Sequence, residues 1–144
     1  MSLIFGHQGI IFGQYDFTAD STAGAIGSID LGVTIPDFSI ISEFVIFAII
    51  APTSGGAATL SFDIVDNSVS PSVVTVGALR LAAVLGGFTK HTVVVGVDTS
   101  APVAASYLST PIVSAVNIGM SIAVAPLTAG NLLFYAVYRS FEFA

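Results

Sequence analysis

The sequence predicts an all-β chain, an antiparallel β-sandwich of jelly-roll type with about eight strands and room for one short helix. Three observations predict it. Apolar side chains recur at every second position in Ile29, Leu31, Val33 and Ile35, and again in Leu60, Phe62 and Ile64, the period of strands with one buried face. Turn-forming clusters punctuate the chain at short intervals: Pro36-Asp37, Pro52 to Gly56, and Asp66 to Pro71. The stretches between them are rich in the β-branched and aromatic residues that suit a pleated surface.

In order, residues 1–9 read as an N-terminal arm, with Gly6 and Gly9 interrupting any pattern, and residues 10–144 as one sandwich domain. A first strand is expected over Ile10–Thr18, then a loop of small and polar residues over Ala19–Gly24. The second strand is Ala25–Ile35. Pro36 removes a backbone donor and stops that ladder, and a third strand runs from Ile40 to Ala51. Ala57–Val65 is the fourth. Val73–Leu85 is ambiguous, because Ala78 to Leu85 contains good helix formers and a short helix fits there. Thr92–Val97 reads as a strand and Asp98–Pro111 as a loop. The last third reads as a hairpin: Ile112–Ala125, a turn over Leu127–Asn131, and Leu132–Phe141. No internal repeat is evident, which excludes a solenoid or propeller.

Composition says how such a fold is covered. Of 144 residues, 8% are charged and 54% hydrophobic, against roughly 25% charged in an ordinary soluble domain. A small sandwich has too much surface to hide that much apolar side chain. The longest uninterrupted apolar run, Phe44–Ala51, is strand length and too short for a spanning helix. Strands apolar on both faces do not suit the wet lumen of a membrane barrel, so no membrane partner is expected. The final strand has this two-faced character: Leu132, Phe134 and Tyr138 on one parity, Leu133, Tyr135 and Val137 on the other. One face meets the core. The other calls for a partner subunit, and Leu132, Leu133, Tyr135 and Val137 are the expected interface residues of a homo-oligomer.

Chemistry is sparse. There is no Gly-x-Ser-x-Gly elbow and no phosphate loop, and the one lysine, Lys90, lacks a glycine framework. The chain has no cysteine, and His7 and His91 are isolated in sequence. Asp63 and Asp66 could offer carboxylates to Ca²⁺, but a polar strand end and turn is the reading the pattern favours. Asp30 and Asp37 flank the Pro36 turn and read as turn caps or solvated groups. With Arg80, Lys90 and Arg139 as its only cations and a net charge of −6, the chain is repulsive to nucleic acid. No enzyme activity, cofactor or metal is expected.

Ile29-Asp30-Leu31-Gly32-Val33-Thr34-Ile35-Pro36 followed by Ile40-Ile41, and the closing Leu127-Thr128-Ala129-Gly130-Asn131-Leu132 with Tyr135 and Tyr138, resemble motifs of small virion proteins of tailed bacteriophages. The resemblance covers both ends of the chain, and residues 66–111 match only loosely. It implies a β-sandwich on the capsid exterior, a decoration or cement protein that binds the major capsid protein and stabilises the head, often as a trimer. The alternative is a carbohydrate- or receptor-binding module of a head or tail fibre, which would show an exposed aromatic platform. Leu3, Ile4 and Phe5, an apolar cluster beside Gly6, are the expected capsid-docking segment.

Overall fold

The computed structural model describes residues 3–19, 24–91, 93–95 and 111–143. Among the described residues nine strands form two antiparallel sheets: β1 (Leu3–Asp16), β2 (Gly27–Ile35), β3 (Ser39–Ser54), β4 (Thr59–Asp66), β5 (Val73–Val84), β6 (Val93–Val95), β7 (Pro111–Ile112), β8 (Val116–Ala123) and β9 (Leu127–Phe143). The five-stranded sheet has the order β1-β9-β3-β6, with β7 pairing the start of β3 beside β6. The four-stranded sheet has the order β2-β8-β4-β5. Most consecutive strands change sheet, and the result is the jelly-roll sandwich the sequence predicts.

The Pro36 turn is one such change of sheet. β2 ends at Ile35, Phe38 adopts a positive φ of 47°, and β3 leaves in the other layer. The Phe38 carbonyl accepts from the Phe141 amide at 2.8 Å, and the two rings meet edge to face at 6.0 Å, which pins the turn to β9. Three phenylalanines join the layers at the centre. Phe44 of β3, Phe134 of β9 and Phe62 of β4 form a triangle with ring centroids 5.4–5.8 Å apart, and all are buried. Ile35, Ile41, Ile46, Leu60, Ile64 and Ile118 complete that layer.

Several sequence expectations need correction. Leu3 already pairs with Phe143, so β1 begins inside the segment expected as an arm, and there is no break in the ladder at Ile10. Ala78–Leu85 is strand up to Val84, and the helix shrinks to a single 3₁₀ turn over Leu85–Gly87. Pairing with β4 overrides the helix propensity of those residues. The last third is not a hairpin: β8 pairs β2 and β4, whereas β9 pairs β1 and β3. The turn sits at Val124–Pro126, where Val124 takes a φ of 73°, and Leu127–Asn131 is already strand. Gly130, at φ 154°, lies within 3.3 Å of Pro52 at the position a Cβ would occupy, so a close strand approach uses the glycine that looked like a turn. The loop expected over Asp98–Pro111 lies outside the described residues up to Thr110.

Candidate interaction face

Strand pairing sets the five-stranded sheet's outward positions in rows. Phe12 lies opposite Tyr135, and Tyr135 opposite Val45. In the row on one side, Gln14, Leu133, Phe47 and Val93 are neighbours; on the other, Ile10, Val137 and Glu43. Phe12 is 71% exposed, Ile10 53% and Leu133 38%, while Val137 is 6% exposed beneath its neighbours. The Phe12 and Tyr135 rings sit 6.1 Å apart. His91 stacks on Phe47 at 6.0 Å, 14° from parallel, and extends the face past β3. Glu43 brings a charge to the end of its row, and the exposed Arg139, opposite Gln8 in the next outward row, brings one of the other sign. Glu43 accepts a long hydrogen bond, 3.4 Å, from the Tyr135 hydroxyl. Desolvation and the neighbouring Glu43 charge push the Tyr135 phenol above its ordinary value, so the ring carries no charge at neutral pH.

Of the expected interface residues, Leu133, Tyr135 and Val137 do share this outer face. Leu132 does not: it is 0% exposed and belongs to the core between the sheets, because it has the opposite parity. The sequence reading missed Ile10, Phe12, Phe47 and Val93. The signal for the first two was available in Gln8-Gly9-Ile10-Ile11-Phe12-Gly13-Gln14, where polar and apolar residues share the outward parity. The backbones of Leu3, Ile4 and Phe5 pair with β9; their side chains lie outside the described set, and so does the docking role expected of them.

The outer face of the four-stranded sheet is polar. Asp30 accepts from the Gly32 amide at 2.8 Å, from Asn67 Nδ2 at 2.9 Å, and from Asn117 Nδ2 at 3.0 and 3.2 Å. Partial burial pushes its carboxyl up, but the hydrogen bonds from Asn67, Gly32 and Asn117 outweigh it and leave the group below its ordinary value. Asp63 is fully enclosed. Its carboxylate accepts from Ser121 Oγ, from the Gly77 amide at 2.8 Å and from Ser61 Oγ at 3.0 Å. Burial, the larger influence, holds it above the ordinary carboxylate value despite those bonds. Gly77, at φ 74°, stands in a bulge of β5, where Phe62 faces Arg80 but Ile64 faces Thr75. Asp63 thus supplies an acceptor to a backbone group the ladder has left behind.

Asp66 turns to the amide and hydroxyl of its own loop residue Ser68, at 2.9 and 2.6 Å. Among the described residues no three His, Asp or Glu side chains are grouped to hold a metal, and no helix is long and apolar enough to cross a membrane. A wide-open cleft of about 630 Å³ is lined by Gly6, His7, Asp37, Phe38, Ser140, Phe141 and Glu142, and the Ser140 hydroxyl there donates to the His7 carbonyl at 3.4 Å.

No protein-family model matches the chain, and no curated protein matches it. Two solved structures share its fold. A chain from the capsid of Ralstonia phage GP4 is 16% identical and superposes with a TM-score of 0.65 over 98% of this chain and 88% of that one. A chain from the acidic stable capsid of Helicobacter pylori bacteriophage KHP30 is 10% identical, with a TM-score of 0.57 over 98% of this chain and 95% of that one. At these identities the likeness is one of fold.

Proposed function

We propose that the chain is a structural protein of a phage capsid, a decoration or cement subunit on the outer surface of the head. The observation that carries the reading is the outer face of the five-stranded sheet. Ile10, Phe12, Leu133, Tyr135 and Val137 form one apolar surface on a chain with few charges to keep it dispersed. The fold it shares with two chains of phage capsids supports the setting. On this reading the face packs against the major capsid protein and bridges neighbouring capsomers, and binding stabilises the shell by mass action without bond chemistry. Leu3, Ile4 and Phe5, at the start of the same sheet's β1, extend that contact. No catalytic step is part of the proposal.

The fibre-module reading is weaker. A sugar platform needs aromatic faces beside directional polar groups. Here Phe12 and Tyr135 share a shallow, mixed surface with Gln8, Ile10, Glu43 and Val137, while the larger polar cluster of Asp30, Asn67 and Asn117 lies on the opposite sheet.

The test is composition of the particle. Purified virions of the phage that encodes this sequence should contain the chain in many copies, and stripped heads should take it up again in co-sedimentation. Absence from virions, or uptake unchanged in a Leu133→Asp, Tyr135→Asp double variant, would sink the reading.

A further inference from the structure

We infer that β1 is a self-pairing edge: two copies of this chain join β1 to β1, antiparallel about a two-fold axis at Ile11, into one continuous sheet. Four observations lead there. First, among the described residues nothing pairs with the outer side of β1, which is 14 residues long. Unpaired edges of that length are templates for another strand.

Second, all three long edges carry a register break, but that of β1, between Phe5 and Gln8, leaves a long regular stretch beyond it. β2 breaks register between Asp30 and Val33, and β5 carries the bulge around Gly77. From Gln8 to Asp16, β1 runs against β9 without a shift, and it contains no proline, lysine or arginine. Third, the right backbone groups are free. The Phe17 amide donates to the Gly130 carbonyl at 3.0 Å. In an antiparallel ladder bonded pairs alternate, so Tyr15, Gly13, Ile11 and Gly9 spend their groups on β9. The N–H and C=O of Gln8, Ile10, Phe12 and Gln14 point to the open edge.

The fourth observation selects the partner. Read outward from Ile11, the strand matches in kind in both directions: Ile10 and Phe12, then Gly9 and Gly13, then Gln8 and Gln14. A two-fold axis at Ile11 sets Ile10 against Phe12 of the second copy, and Gln8 against Gln14. Each of these pairs exchanges backbone bonds through the groups just named. The Gln8 amide can donate to the Gln14 amide oxygen, whose nitrogen already donates to Asn131 Oδ1 at 2.8 Å. A strand built to meet an unrelated partner has no reason for this symmetry. Pairing would also merge the two apolar outer faces into one of twice the width. The inference does not depend on the capsid reading, and either can fail alone.

Sedimentation of the isolated chain tests it, with two cysteine variants fixing the register. The wild type should run as a dimer at micromolar concentration. Ile10→Lys, Phe12→Lys changes two exposed residues, so it should keep the melting transition and run as a monomer. In the dimer the two Ile11 residues face each other as a non-bonded pair, with Cα atoms about 4.5 Å apart, within disulfide reach. Mild oxidation of Ile11→Cys should therefore give a covalent dimer, in a chain with no other cysteine. Gln14→Cys, about 20 Å from its mate at that register, should not. A monomeric or trimeric wild type, a folded lysine variant that still dimerises, or equal cross-linking at both cysteines would overturn the inference.

Discussion

On the four-stranded sheet, the outward residues Ser28, Asp30, Ser61, Asp63, Asn117 and Ser121 answer one another's hydrogen bonds. On the five-stranded sheet, the equivalent positions hold Ile10, Phe12, Val45, Leu133 and Tyr135. Both are the solvent sides of twisted antiparallel sheets around one core, so geometry alone does not account for the difference. The polar face closes on itself: Ser28 and Ser121 meet at 2.8 Å, and Ser121 passes on to Asp63. The apolar face closes on itself less: Tyr135 reaches Glu43 at 3.4 Å and Gln14 reaches Asn131 at 2.8 Å, but Ile10 and Phe12 stay exposed. One side of the sandwich is finished by folding, and the other is the side that the proposed association would finish.

The sharpest way to break that comparison is to remove Asp63. Asp63→Ala leaves the Gly77 amide and the Ser61 and Ser121 hydroxyls without their acceptor in an enclosed site. The expected cost is about 2 kcal/mol, a fall in melting temperature of roughly 5–10 °C. Phe12→Ser on the other face should change the melting of the dilute chain by less than about 0.5 kcal/mol, because the ring is already exposed. If the two variants melt alike, the polar network is not structural.

The second test exchanges the readout. Leu133→Asp places an unpaired charge in the apolar face, and Ala123→Asp places one at an exposed position on the polar sheet. Binding to heads should weaken at least tenfold for the first, about 1.4 kcal/mol, and stay unchanged for the second. Equal effects would mean that the apolar face is not the docking side.

How much of this contrast was legible depends on whether the signal is local. The polar-apolar alternation of Ile29 to Ile35 defined β2, because each residue's environment follows from its own parity. The same logic failed for β9: Leu132 and Leu133 are both apolar, and only the pairing of Leu132 into the core shows which one remains outside. Sheet membership is not local either, so a strand-turn-strand at Ala123–Leu127 reads as a hairpin whether or not its arms pair. Asp63 was read as a polar strand end because its partners, Gly77 and Ser121, come from the next strand in sequence and from one 58 residues away. Ala78 to Val84 misled through composition, since helix propensity is weak beside the pairing offered by β4.

A smaller effect separates burial from bonding on the polar face itself. Asp63 binds its proton more tightly folded than unfolded, because burial raises its value. In the interval from its ordinary 3.8 up to that raised value the folded state holds more protons, so stability falls as pH rises through it. Asp63→Asn keeps an oxygen for the Gly77 amide and an N–H for Ser121 but carries no charge. The variant should match wild type in acid and melt higher than wild type as pH rises toward neutral. A constant offset across that range would show that the carboxylate's charge is not what the site tolerates at a cost.

Asp30 should behave in the opposite sense, and more weakly. Its carboxyl lies below the ordinary 3.8, since the donors Asn67, Gly32 and Asn117 together outweigh its partial burial. The unfolded chain therefore binds the proton first, and the stability this carboxylate supplies is present above the ordinary value and lost as pH falls through the folded one. Because Asp30 is mostly exposed, solvent screening keeps the contribution under about 0.5 kcal/mol. Asp30→Asn retains an oxygen for the Gly32 amide, but its own NH₂ then confronts the NH₂ groups of Asn67 and Asn117, which have been donating to it. The variant should melt slightly below wild type at neutral pH, and the gap should close in acid, where the protonated Asp30 also turns a donor toward those amides. Chemical-denaturant curves of the two proteins at neutral pH and near pH 3 measure both ends. A gap that widens in acid would mean that the Asn67 and Asn117 amides do not hold the ionised carboxylate, and the polar face would then rest on Asp63 and its serines alone.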